Sequence, residues 1–467
     1  MTKQTKTFAD LKGPKGIPFV GNVLGIDLPH LHRQIEGWSR EHGEVFKLTL
    51  AGVKLVVITK PEMIQSILKL RPNEFQRAGK LNRVIREQGI HGLFNAEHED
   101  WAKHRSIITK GLDVKHQKQF FPELKEITER LHRKWSKDAE LGREVDMQQD
   151  FLRYTVDVTT SLAFGIQMNT IEEQGGVIQD HLEKVFPTIF KRINQPIPFH
   201  KAFRTKKDKE FDYAVKEIHQ FLDDIIRNGK ATIAQDPRLM KEPSNVLEAI
   251  LVAAETMDGF GDEEVKGNLL ILLMAGEDTT AQTLAWSVEQ LVQSPDAIKA
   301  LQEEADAILG ENTCFQTYED HGQLKYAEAV ANETMRLKPV APIFLNEAFN
   351  DIEVDGYLLE KGHRIVLQVQ KGATSEEYFT DAQSFNPNRW LAVSRCPMHN
   401  TEAFMPFGAG PRFCPGRNLA LLEMKMVLSM LFKNFNVEML THPKDIEEIL
   451  AFTMMASPYK VKLTRRV

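Results

Sequence analysis

From Glu44 to Leu50 and again from Val53 to Ile58, apolar residues recur at every second position. Phe46, Leu48 and Leu50 share one face, and Val53, Leu55 and Val57 match them across Ala51-Gly52. A period of two around a glycine-containing break predicts a β-hairpin, within an N-terminal β region over about residues 43–60. Ahead of it, Gly13-Pro14-Lys15-Gly16-Ile17-Pro18 reads as an extended, turn-rich strap. Beyond Pro61 the apolar spacing becomes helical and remains so, with interruptions, to about Leu337, giving a helical core over residues 61–337.

The longest helical stretch begins near Asp262 and runs to Ser294, where Pro295 should stop it. It is apolar on almost every side in its first half, as a buried helix is, and would span roughly 50 Å at ~1.5 Å per residue. Within it stands Ala275-Gly276-Glu277-Asp278-Thr279-Thr280, which helix building alone would avoid. Glycine costs about 1 kcal/mol there relative to alanine, and threonine hydroxyls compete for backbone carbonyls. One reading is a local widening, with Gly276 admitting a planar ligand while an acid and a hydroxyl face a polar pocket. The other is a solvated Glu-Asp pair followed by a hydroxyl bonded back to its own helix.

Three further places break the plain pattern. Phe407-Gly408-Ala409-Gly410-Pro411-Arg412-Phe413-Cys414-Pro415-Gly416 is a glycine-rich loop, 407–416, that presents a cysteine and runs directly into an apolar-periodic segment. A cysteine leading into a helix meets unpaired N–H groups and the positive dipole end, so a thiolate is expected to be favoured. Glu333 and Arg336 lie three apart on a helix of about Tyr326 to Leu337, ahead of Phe385-Asn386-Pro387-Asn388-Arg389-Trp390. Trp101 and Arg105 are four apart on one helical face, and both can donate to a carboxylate.

Taken in this order, Phe407-x-x-Gly410-x-Arg412-x-Cys414-x-Gly416, Ala275-Gly276-x-Asp278-Thr279, Glu333-x-x-Arg336, Arg389 and Trp101-x-x-x-Arg105 resemble the motifs of the cytochrome P-450 superfamily, the haem-thiolate monooxygenases. The resemblance implies a mainly α fold with small β-sheets: the cytochrome P-450 fold, a single triangular helical domain over residues 1–467 around a buried haem b. It implies Cys414 as the iron ligand. Trp101, Arg105 and Arg412 would hold the propionates, and Phe407, Gly416, Ala275 and Gly276 would stand against the macrocycle. Glu333, Arg336 and Arg389 would form a buried structural network, Asp278 would carry protons, and Thr279 would hold the hydrogen-bonded water where oxygen reacts. The strand after Arg336, Pro342-Ile343-Phe344-Leu345-Asn346, lacks an arginine that the superfamily often has there.

By the same resemblance the substrate pocket draws on Ile90 and Leu93, on Met274, on Val340, Ile343 and Phe344, and on Met454 and Met455 near the C-terminal turn. These are apolar and several are pliable methionines, so a lipophilic small molecule is expected. Core packing accounts for the same residues. The reaction expected is O2 activation with insertion of one oxygen atom, with a haem-thiolate isomerase, dehydratase or peroxygenase and a non-catalytic haem sensor as alternatives. A cysteine hydrolase lacks a paired histidine motif.

Composition narrows the partners. With 42% hydrophobic residues in 467 and a formal net charge of −6, the chain suits a large core and not a polyanion, so nucleic acid is not expected. Cys314, Cys396 and Cys414 are far apart and form no disulfide framework or zinc pattern, as in a reducing cytoplasm. The polar start, Met1-Thr2-Lys3-Gln4, and an apolar run no longer than Leu269 to Ala275 predict a soluble bacterial-type protein without a membrane anchor. No Gly-x-Gly-x-x-Gly opens a βαβ unit, so electrons are expected from a ferredoxin or flavodoxin with its NAD(P)H-dependent reductase. Lys103, Arg105, Lys110, Arg417, Lys425 and Lys433 are the candidate docking cations.

Overall fold

The alternating segment folds into the expected hairpin. Val45–Leu50 pairs antiparallel with Val53–Ile58, and Ala51 and Gly52 take φ of 48° and 83°, the left-handed pair that a two-residue hairpin turn requires. Phe46, Leu48, Leu55 and Val57 pack together on one face, against Ile35 and Val366. In the computed structural model, which describes residues 5–173, 177–195, 199–391 and 401–466, this hairpin is the edge of a five-stranded sheet. Its order is Val45–Leu50, Val53–Ile58, Arg364–Gln368, Ile343–Ala348 and Phe75–Arg77, with only the second and third parallel. Met1 to Gln4 and Cys396 fall outside the described residues.

The rest is mainly helix. A long helix, Asp262–Val292, crosses the core and packs along a second, Met147–Phe164, that is buried over nearly its whole length. Pro295 marks the break but does more than stop the chain: it occupies the first turn of the next helix, Pro295–Leu309, where its missing N–H costs nothing. The Glu-x-x-Arg helix, Lys325–Leu337, lies between the long helix and a terminal helix, Arg417–Asn434. A two-stranded hairpin, Glu448–Ala451 with Thr453–Ala456, lies against the long helix. No helix among the described residues is long and apolar enough to cross a membrane.

Candidate active site

The glycine-rich loop is shaped by its contacts. Gly408 and Gly410 adopt φ of 73° and 68°, and a Cβ on Gly410 would come within 2.3 Å of the Leu68 carbonyl oxygen, so only glycine fits there. The Cys414 N–H donates to the Phe407 carbonyl at 2.9 Å, closing the loop, and Gly416 caps the terminal helix. The expectation of an intrinsically favoured thiolate is corrected. Although Cys414 keeps some exposed surface it is hemmed in by protein, and that burial pushes its thiol up, against the N–H groups of Gly416 and Arg417 and the Arg105 guanidinium, which draw it down. A bound metal would draw it down. Cys314, wholly buried beside Phe315 and pushed up to about 12, is a core thiol.

Arg412, expected at a propionate, is held by protein groups around it. Its Nη1 pairs with Glu97 and its Nη2 donates to the carbonyls of Leu93, Phe94 and Ala96, while its guanidinium lies 5.4 Å from the Trp101 ring centre. Arg105 donates from Nη1 to the Phe413 carbonyl at 2.6 Å and stacks on that ring. Two arginines that motif reading missed join them. Arg71, 5% exposed, lies 3.5 Å from Glu97, and neither its Nε nor its Nη2 has a hydrogen-bond partner. Arg77 donates from Nε to the Phe94 carbonyl. It pairs in register with Asn346, so the arginine absent from that strand stands on its neighbour.

Three guanidiniums thus crowd one carboxylate. Burial pushes Arg77 well down, as do Arg71 and Arg412, and burial with Arg71 and Arg105 holds Arg412 at about 10 against the pull of Glu97. A buried excess of positive charge with unpartnered donors is costly unless anions meet it. Beside a cysteine on a glycine loop, that excess fits the two propionates of a haem.

On the long helix, Asp278 is buried and takes hydrogen bonds from the Thr453 hydroxyl and, at 3.5 Å, from Gln282. Thr279 donates its hydroxyl to the Ala275 carbonyl at 2.9 Å, the back-bonded arrangement, which leaves its oxygen free to accept. Ala275 is exposed and Thr279 half-buried, one turn apart, in a helix whose Leu273, Met274, Glu277, Asp278, Thr280 and Ala281 are all buried. The expected widening is absent, for the helix is unbroken from Asp262 to Val292. The bare side of Gly276 turns to the neighbouring helix, where an added Cβ would come within 2.4 Å of Thr159 Oγ1, so this glycine serves close helix packing. Thr155, one turn away, donates to the Glu277 carbonyl at 2.8 Å and completes that seam.

Glu333 is the hub of a buried network. Arg336 forks onto it at 2.8 and 2.9 Å, Arg389 donates at 2.9 Å, and Trp390 Nε1 and the Asn386 N–H add one bond each. The remaining donors of Arg336 reach the carbonyls of Ala373, Ala382 and Ser384. Glu333 and Arg336 are fully buried, so the bare carboxylate-arginine pair of the sequence becomes a fixed joint between the helix and the segment at Phe385.

The pocket residues divide. Ile90 and Met274 are packed into the main core, Met454 and Val340 are buried, and Ile343 and Phe344 join clusters on opposite faces of the five-stranded sheet, so packing explains these six. Leu93 and Met455 remain half-exposed, and Phe94 and Phe452, which the motif reading passed over, approach at 6.2 Å. Two docking cations are also corrected: Lys425 is buried on Glu328 and the His321 carbonyl, and Lys433 pairs with Asp306. Lys110 and Arg417 are exposed.

The cytochrome P450 family model matches residues 11–463. Among curated proteins, the chain is 27% identical to Protein LUTEIN DEFICIENT 5, chloroplastic, of Arabidopsis thaliana, over 85% of this chain and 68% of that protein. It is 27% identical to Bifunctional cytochrome P450/NADPH–P450 reductase 2 of Bacillus subtilis, over 99% of this chain but 42% of that protein. It is 25% identical to Cytochrome P450 3A6 of Oryctolagus cuniculus, over 92% of this chain and 86% of that one. The crystal structure of the cytochrome P450DA heme domain superposes with a TM-score of 0.85 at 20% identity, over 99% of both chains.

Proposed function

The chain belongs to the cytochrome P450 family, haem b monooxygenases, and from that premise we propose how its own residues divide the work. When bound through a thiolate, haem supplies the activation of O2, which with two electrons and two protons yields an oxygenated substrate and one water. Cys414 is the ligand. Arg71, Arg77 and Arg412, with Trp101, would receive its propionates, and the exposed Ala275 would stand against the macrocycle.

The observation that carries this reading is the accessible pair Ala275 and Thr279, one turn apart among the buried Leu273, Met274, Glu277, Asp278 and Thr280. Because the Thr279 hydroxyl is committed to the Ala275 carbonyl, its oxygen acts as an acceptor and orients a water beside the reacting centre. Asp278 passes protons toward that water and regains them from solvent. The substrate is a lipophilic small molecule seated among Leu93, Phe94, Phe452 and Met455, since those side chains are apolar and incompletely buried. Electrons come from a ferredoxin- or flavodoxin-type protein with an acidic face, docking where Arg105, Phe413, Lys110 and Arg417 lie at the surface.

Thr279→Ala tests it. The variant should keep its haem and consume reductant, yet form less product per electron; an unchanged product yield removes Thr279 from the mechanism.

A further inference from the structure

We propose that Thr453 is a positioning residue for the reaction, its hydroxyl holding the Asp278 carboxylate in the orientation from which the acid serves Thr279. The inference rests on the reading of Asp278 as proton carrier. Thr453 Oγ1 donates to Asp278 Oδ2, and both residues are nearly buried, at 5% and 6% exposure. The other oxygen takes Gln282 Nε2 at 3.5 Å. Gln282 in turn accepts from Gln148 at 3.5 Å, and Gln148 donates to the Ala456 carbonyl at 2.7 Å. Asp278 is therefore tied twice to one strand, Thr453–Ala456, directly and through two buried amides.

That strand is well anchored. The Met454 N–H donates to the Val340 carbonyl at 2.8 Å, and the Met454 carbonyl accepts from Trp286 at 3.4 Å. At the other end of the hairpin, Glu448 is clamped by His32 and Arg33, both at 2.7 Å, and by Lys338 at 2.6 Å. Between these anchors the turn is a single residue: Ala451 pairs with Thr453, and Phe452 takes φ of 92°, where side-chain-bearing residues are strained and persist only when their surroundings enforce it. Phe452 meets Phe94 of the loop ahead of Trp101. One residue of the turn thus faces the apolar side while the next holds the acid, so the wall that seats substrate also sets the carboxylate.

The experiment uses the full-length, haem-loaded protein as wild type, Thr453→Val, Thr453→Ser and Asp278→Asn, reduced by an added ferredoxin and its NADPH-dependent reductase. Oxygen consumed with two electrons and two protons leaves as H2O2, and with four of each as two waters, so the peroxide share reports proton delivery without a known substrate. Thr453→Val keeps the shape and removes the donor. It should slow water formation roughly tenfold, raise the peroxide share and change the solvent isotope effect on oxygen consumption, with Thr453→Ser near wild type and the ferrous carbonyl spectrum unaltered in all four. If Asp278→Asn raises the peroxide share and Thr453→Val does not, the positioning role is overturned alone. If Asp278→Asn leaves it unchanged, the proton-carrier reading falls and takes this inference with it.

Discussion

Arg71 Nη2 stands 3.5 Å from Glu97 Oε1, and the other oxygen of the same carboxylate receives Arg412. The backbone N–H of Arg77 donates to Glu97 at 2.9 Å as well, so one acid organises three arginines. Replacing Arg71 by methionine should act in opposite directions on the two forms of the protein. Without haem it relieves repulsion and raises the midpoint of unfolding; with haem it removes a partner for the propionates and weakens retention by about 1.5–3 kcal/mol. Thermal melts of haem-free and haem-loaded protein measure both, and a fall in both midpoints contradicts the account.

Glu333→Gln leaves Arg336 and Arg389 buried without their shared countercharge. Breaking a buried ion pair on one side costs about 3–5 kcal/mol. Denaturant titration followed by tryptophan fluorescence should show that loss, with Trp390 losing its acceptor.

Gly276→Ala should destabilise although alanine is the better helix former by about 1 kcal/mol, because the new Cβ meets Thr159 Oγ1. Thr159→Ala removes that oxygen and should recover most of the loss. A double-mutant cycle reads the coupling, and additive effects would sink the packing role.

Much of this was legible from sequence because it rests on local periodicity or on residues close in the chain. The hairpin at Ala51-Gly52, the long helix and the forking of Arg336 onto Glu333 all follow from spacings of two or three to four. What stayed hidden depends on chain segments far apart. Gly276 reads as a ligand-facing glycine until Thr159, more than a hundred residues earlier, is seen against it. Thr453 looks like one polar residue in an apolar strand, and Arg71 and Arg77 belong to no motif; only their convergence on Asp278 and Glu97 gives them meaning. Lys425 and Lys433 show the converse, charges that sequence puts at the surface and tertiary structure pairs away.

Glu448 sets an acid limit on the hairpin that carries Thr453. Burial alone would raise its carboxyl, but His32, Lys338 and Arg33 overcome that and hold it far below the ordinary 4.5. A carboxyl depressed on folding gives stability that is complete above the unfolded value and is lost as pH falls toward the folded one. Stability of the wild type should therefore decline below about pH 4.5 more steeply than that of Glu448→Gln, which is weaker at neutral pH. Denaturant melts from pH 6 downward, at about half-unit steps, check this, and parallel curves would exclude the clamp.

The ferrous carbonyl spectrum of purified, haem-loaded protein tests the central claim most directly, that Cys414 alone gives its sulfur to the iron. Wild type should show the red-shifted Soret band of thiolate ligation, and Cys414→Ser should lose it while Cys314→Ser keeps it. A thiolate band that survives Cys414→Ser would contradict the account.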